Sequence, residues 1–185
     1  MNFEKLDIPD VVVIEPKKFG DSRGYFMETF RQALFAEHVG DFAFVQDNQS
    51  LSAEVGTVRG LHFQLDPMAQ GKLVRCIAGA LLDVAVDIRS GSPSYGKHVA
   101  VELTAENGKQ LWVPPGFAHG FCTLAPNTEI SYKVTNYYSA EHDRGLLWSD
   151  PALGIDWPVD LERAALSEKD KRQPSLADLG AVFSY

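Results

Sequence analysis

Apolar and polar positions alternate with a period of two through much of this chain, and that period predicts strands. Leu82, Val84, Val86 and Ile88 interleave with Asp83, Ala85, Asp87 and Arg89, so the 81–89 stretch has one plainly apolar face. Val99, Val101 and Leu103 share a face in the next alternating run. Ile130, Tyr132 and Val134 share another, opposite Glu129, Ser131 and Lys133. Residues 8–14 (IPDVVVI) form a β-branched run opened by proline, and 25–30 (YFMETF) and 42–45 are further strand candidates. Between the first two lies a turn-rich loop, 15–24. Breakers separate the later runs: Asp66 to Gly71, the IAGA turn, the SGSPSYG loop, Asn107-Gly108 and Pro114-Pro115-Gly116. Gln46 to Ser50, five polar residues in a row, reads as a solvated loop. Helical signals are few: 31–40, stopped by Gly40, and a short candidate at Asp160 to Ala165. Short strands at a spacing of roughly 8 to 12 residues predict an all-β protein, foremost a double-sheet jelly roll with a pocket among its inward-facing residues.

The centre of the pattern is Val58 to Cys76, VRGLHFQLDPMAQGKLVRC. Strand alternation puts His62 and Gln64 on one face and Leu61, Phe63 and Leu65 on the other. Polar groups in a segment hydrophobic enough to be buried need partners, so their face is a core network or a site. Taken alone, His62 would be an ordinary hydrogen-bonded core histidine. Its company is what suggests chemistry: Lys72, His119 and Tyr132, with carboxylates at Asp83 and Asp170. A phenol turned inward needs a hydrogen-bond partner too. Arg23, Phe26 and Glu28 taken alone read as a surface charge pair beside a core aromatic.

Several chemistries lack their residues. A cupin-type metal site uses an H-x-H pair, and here Gln64 stands where the second histidine would be, so acidic ligands would have to substitute. There is no G-x-S-x-G elbow, no Gly-rich phosphate loop and no dinucleotide fingerprint. Acid/base chemistry without a metal remains. Histidine takes a proton near neutrality, tyrosine returns one, and lysine or a second histidine polarises a carbonyl. That set suits removal of a proton next to a ketone and its return to the opposite face.

Composition adds limits. The 185 residues fit one domain spanning 1–185, with 45% hydrophobic and 23% charged residues as in soluble globular chains. No apolar run approaches the roughly 20 residues of a membrane span, and MNFEKLDIPD lacks the features of a secretion signal. Cys76 and Cys122 sit in apolar contexts without CxxC spacing, so buried thiols and a cytoplasmic location are expected. A net charge of -8 argues against a nucleic-acid partner but not against a small anionic ligand, which local arginines can hold.

FGDSRGYFMETF, VQDNQS, RGLHFQ, QGKLVRC, DVAVDIRSGSPSYG, QLWVPPGFAHGF, YKVTNYYS, LWSDPALGIDWP and LSEKD follow one another in an order that covers almost the whole chain. In these motifs the sequence resembles the dTDP-4-dehydrorhamnose 3,5-epimerases, of the nucleotide-sugar cupin group. The resemblance implies a cupin-type jelly roll that forms a homodimer, acts on dTDP-4-dehydro-6-deoxy-glucose, and uses neither cofactor nor metal. It implies His62 as base and Tyr132 as acid, with Asp170 orienting and charging His62 and Asp83 as the fallback for that role. Lys72 and His119 would hold the C4 oxygen region. Arg23, Phe26, Glu28, Gln46, Asp47, Asn48, Arg59 and Tyr138 would bind the nucleotide, some of them from the second subunit. Asp143 stands in AEHDRG where many members carry glutamate, which shortens its reach by one methylene; Lys169 fits the position in LSEKD. Competing expectations are a relative acting at one carbon, a 3,4-ketoisomerase, and a non-catalytic nucleotide-sugar binder, the last disfavoured by an intact acid/base set.

Overall fold

A computed structural model describes residues 1–185. Its strands are β1 (Asn2–Lys5), β2 (Val12–Glu15), β3 (Lys18–Asp21), β4 (Gly24–Met27), β5 (Gln46–Ser52), β6 (Val58–Gln64), β7 (Lys72–Ala78) and β8 (Ala80–Asp87). There follow β9 (Arg89–Ser90), β10 (His98–Thr104), β11 (Gln110–Val113), β12 (Phe117–Thr123), β13 (Thr128–Val134), β14 (Asp143–Gly145) and β15 (Phe183–Ser184). The one α-helix is α1 (Gln32–His38), and 3-10 turns occupy Pro151–Leu153 and Asp170–Arg172. A six-stranded sheet runs β1-β2-β11-β7-β13-β5 and a five-stranded sheet runs β10-β8-β12-β6-β14. Within them, β5-β13-β7-β11 and β6-β12-β8-β10 form the two antiparallel halves of a jelly roll, as the alternation predicts.

Three apolar cores follow from which faces these strands cover. Between the sheets, Val74, Leu111 and Ile130 meet Leu81, Ala85, Leu103, Phe117 and Phe121. The apolar face of β8 lies outside this interior. Val84, Val86 and Ile88 pack instead with Leu61, Phe63, Trp148 and Trp157 beneath the C-terminal segment, so β8 is covered on both sides. Its interior face carries Asp83 and Asp87, both fully buried. On the other side, Phe35 of α1 packs on Ile14, Leu73 and Trp112, with Phe42 and Phe44 around them.

The local assignments differ from the sequence pattern in three places. The polar run from Gln46 to Ser50 is a strand, part of β5, and Phe42–Val45 before it is irregular chain. Phe42 and Phe44 are apolar because they cap Trp112, whereas β5 is an edge strand whose inward residues face a cavity and so carry polar side chains. The loop expected over 15–24 contains β3, which forms a hairpin with β4 that ends at Met27 rather than Phe30. Asp160 to Ala165 makes turns closed by Arg163 and Ala164 amides on the Asp160 carbonyl, not a helix.

One irregularity sets the site. The register of β6 and β12 pairs His62 with His119 and then Arg59 with Phe121, so three steps on β6 meet two on β12. This bulge inverts the phase of the strand, and Arg59 and His62, three apart, both open into the same cavity. Gly60 and Gly120 make the close approach possible: a Cβ on Gly120 would lie 2.7 Å from the Arg59 carbonyl oxygen, and one on Gly60 2.6 Å from the Gly120 Cα.

Candidate active site

The two sheets enclose a cavity of about 510 Å³ at one end of the interior. His62 and His119 reach it from the five-stranded sheet, Lys72 and Tyr132 from the six-stranded sheet, and Asp170 from the C-terminal segment. His62 Nε2 lies 2.5 Å from Asp170 Oδ1. Asp170 opens a 3-10 turn, and its backbone N–H donates to Ser167 Oγ at 3.1 Å, which anchors the carboxylate from behind. Burial would raise the Asp170 carboxyl, but the hydrogen bond and charge of His62 outweigh it and hold Asp170 below the usual carboxylate value. With Asp170 ionised, Nε2 carries the proton and Nδ1 is left as the basic nitrogen.

Asp83 does not orient His62. It pairs with the second histidine, His119 Nε2 donating to Asp83 Oδ1 at 2.7 Å. The register explains this: Asp83 lies opposite Phe121 and Ala85 opposite His119, which puts Asp83 on the diagonal from His119 within β8 and β12. Two His–Asp pairs therefore stand on one side of the cavity, His119–Asp83 buried and His62–Asp170 with the histidine partly exposed. Lys72 is buried, and its Nζ donates to the His62 carbonyl at 3.2 Å. Burial lowers its pKa to about 8, with the charges of Asp143 and Asp83 opposing the fall. Burial also pushes the Tyr132 phenol upward, against the nearby Arg59, so it holds its proton at neutral pH.

A second cavity of about 420 Å³ shares His62, Lys72, Tyr132 and Lys169 with the first and adds Gln46, Asn48, Tyr138 and Asp143. Here Lys169 pairs with Asp143, and the Tyr138 hydroxyl donates to the same carboxylate at 3.2 Å. Asp47 faces away, on the outer side of β5, where it pairs with Lys133 at 3.0 Å. Arg23, Phe26 and Glu28 border neither cavity. They lie on and beside the β3–β4 hairpin, Arg23 paired with Asp21 and Glu28 with Arg31. Sequence reasoning did not single out Ser50, Thr57, Phe121 or Ser167, all of which line the first cavity. Ser50 alone carried a signal, two residues beyond Asn48 on one strand face.

Fold and site together define a cupin-type jelly-roll protein whose cavity gathers an acid/base side-chain set. The family described as dTDP-4-dehydrorhamnose 3,5-epimerase matches residues 5–178, and the chain belongs to it. A dTDP-4-dehydrorhamnose 3,5-epimerase from Sinorhizobium fredii is 64% identical over 185 residues, covering 100% of this chain and 94% of that protein. The crystal structure of an epimerase from Legionella pneumophila in complex with dTDP-4-keto-L-rhamnose is 43% identical with a TM-score of 0.94, over 100% of this chain and 98% of that one. A 3'-monoepimerase from Streptomyces bikiniensis in complex with dTDP-quinovose is 34% identical with a TM-score of 0.90, over 97% and 92%.

Proposed function

We propose that the protein inverts C3 and C5 of dTDP-4-dehydro-6-deoxy-glucose, giving dTDP-4-dehydro-L-rhamnose for dTDP-rhamnose biosynthesis. The observation that carries this is the His62–Asp170 pair on one wall of a cavity whose other wall presents the Tyr132 phenol. The C4 ketone makes the C3 and C5 protons acidic. His62 Nδ1 removes one, and Asp170 stabilises the imidazolium that forms. The electron pair moves onto the C4 oxygen, where Lys72 donates a hydrogen bond to the enolate, while His119, whose Nε2–H is given to Asp83, lines the same cavity beside it. Tyr132 returns a proton to the face opposite His62, which inverts the carbon. His62 then gives its proton to solvent, the Tyr132 phenolate takes one back, and the cycle repeats at the second position. Each step exchanges protons only, so the proposed cycle uses no cofactor or metal. Gln46, Asn48, Tyr138, Asp143 and Lys169 bind the dTDP portion across the second cavity, and Arg59 does so from the first.

Proton NMR of the substrate in D2O with the protein tests the proposal. Deuterium at both C3 and C5 with inversion at each is expected. The monoepimerase with the same fold gives a second reading some weight, and exchange at one carbon alone would select it. Carbonyl migration to C3 would indicate a ketoisomerase, and no exchange at all a binder.

A further inference from the structure

Gln64 occupies the position that a metal-binding cupin gives to its second histidine and lines the second cavity, yet its amide hydrogens and its oxygen are turned to loop backbone. Both amide hydrogens and one lone pair of Oε1 are committed to two loops. Nε2 donates to the Met68 carbonyl at 2.6 Å and the Tyr137 carbonyl at 3.1 Å, and Oε1 accepts from the Ser139 N–H at 2.8 Å. Gln64 is only 3% exposed, so these three contacts replace water almost completely.

The same two loops are joined by further amides. Gln70 Nε2 donates to the Asn136 carbonyl at 2.8 Å, and Asn136 Nδ2 donates to the Pro67 carbonyl at 3.0 Å. Behind them, the Gly71 N–H donates to Thr135 Oγ1 at 2.8 Å. On the other side of Tyr138, its own N–H donates to Gln46 Oε1 at 3.1 Å. Consecutive backbone amides, Tyr138 and Ser139, are thus held by glutamines from two different strands, β5 and β6. Tyr138 is 60% exposed and belongs to none of the three apolar cores. Its place on the second cavity is set by this amide lattice at the backbone and by the hydroxyl's hydrogen bond to Asp143 at 3.2 Å at the tip of the ring.

We propose that Gln64 is a positioning residue for ligand binding: by clamping residues 137–139 to the 66–71 turn it fixes the Tyr138 ring as a flat wall for the nucleotide. The assignment rests on the function proposed above. Gln64 touches no reacting atom, so its loss acts on affinity more than on proton transfer. Flat aromatic rings recognise a base only when held at stacking distance, and a loop free to move must be ordered at the expense of binding energy.

The test is calorimetric binding of dTDP, with steady-state kinetics, on Gln64→Glu and Gln64→Leu. Either variant should weaken dTDP binding and raise KM by about tenfold, the loss of one to two net hydrogen bonds, while kcat falls by less than about threefold. Gln64→Glu adds a second readout. Its buried acid can still donate to one carbonyl when neutral but repels both when ionised, so its dTDP affinity should fall with rising pH, and that of Gln64→Leu should not. In a Tyr138→Ala background neither substitution should weaken dTDP further, whereas a general packing role would weaken binding equally with or without the tyrosine. Equal dTDP affinity of wild type and both variants, or losses that simply add to that of Tyr138→Ala, would overturn the proposal. Failure of the wild-type protein to bind dTDP would instead overturn the function on which it rests.

Discussion

His62 has one partner and one exposed edge, and that asymmetry gives it a direction. Asp170 takes Nε2, so only Nδ1 is free to accept a proton. His62→Asn should abolish deuterium exchange at both carbons while leaving dTDP binding nearly intact, since a general base contributes ~10^2 to 10^4-fold and no other group stands in its place. Near-normal exchange in the variant would pass the role to His119. Tyr132→Phe separates removal of a proton from its return. The variant keeps the ring and its packing, and it should still exchange protons with D2O but invert poorly. Wild-type inversion at both carbons would remove Tyr132 from the mechanism. Lys72 sets a limit at high pH. Its charged form is the one that holds an enolate oxygen, and burial places its pKa at about 8. The charged form is the low-pH form, so kcat/KM should fall as pH rises through about 8. Lys72→Arg should lose that limb because a guanidinium stays charged. A wild-type profile flat to pH 10 would rule out the assignment. The types of these residues were visible in the sequence because inward polar residues on alternating strands stand out. Their pairing was not visible: which histidine takes Asp83 and which takes Asp170 depends on the β8–β12 register and on a 3-10 turn far along the chain.

Strands and bulges decide what the residues can reach. Alternation located most of the barrel strands because their two faces differ, and in β6 it separated His62 and Gln64 from Leu61 and Phe63, but it failed at β5, whose inward face is polar for the sake of a cavity, and it did not show the break of phase at Gly60. No sequence period contains a bulge. The strand beside it gives a clean test. Gly120 has no left-handed backbone requirement, so only space excludes a side chain there. A Cβ would meet the Arg59 carbonyl oxygen at 2.7 Å and the Gly60 Cα at 3.0 Å, and both are backbone atoms that cannot move aside alone. Gly120→Ala should cost about 1–3 kcal/mol, as overpacking usually does, measured as a lower urea midpoint. It should also reduce kcat at temperatures where the variant is folded, because separating β6 from β12 displaces Arg59 and His62 together. Wild-type stability and rate would mean that the two strands close without the bulge.

The whole molecule leaves part of the expected ligand set away from its cavities. Arg23, Phe26 and Glu28 are expected from the resemblance to bind the nucleotide, yet they border neither cavity of their own chain. The β3–β4 hairpin that carries Arg23 and Phe26 exposes Phe19, Tyr25 and Phe26 at 55%, 59% and 70%. Three large exposed aromatics on one hairpin are the kind of surface that a partner covers. A homodimer in which each hairpin completes the other chain's nucleotide site accounts for both facts. Mixing two inactive variants, Arg23→Ala and His62→Ala, tests it by arithmetic of sites. In a mixed dimer, the barrel with an intact His62 receives its hairpin from the His62→Ala chain, where Arg23 is intact, so one of the two sites is whole. The other site lacks both residues. If instead each Arg23 served its own barrel, every site in the mixture would lack one residue and no dimer would be active. Once subunit exchange is confirmed by mass, activity should recover toward a quarter of the wild-type rate per total chain, since random pairing makes half the dimers mixed and each mixed dimer has one good site of two. Absence of any recovery would place Arg23 in its own chain's site or outside binding altogether.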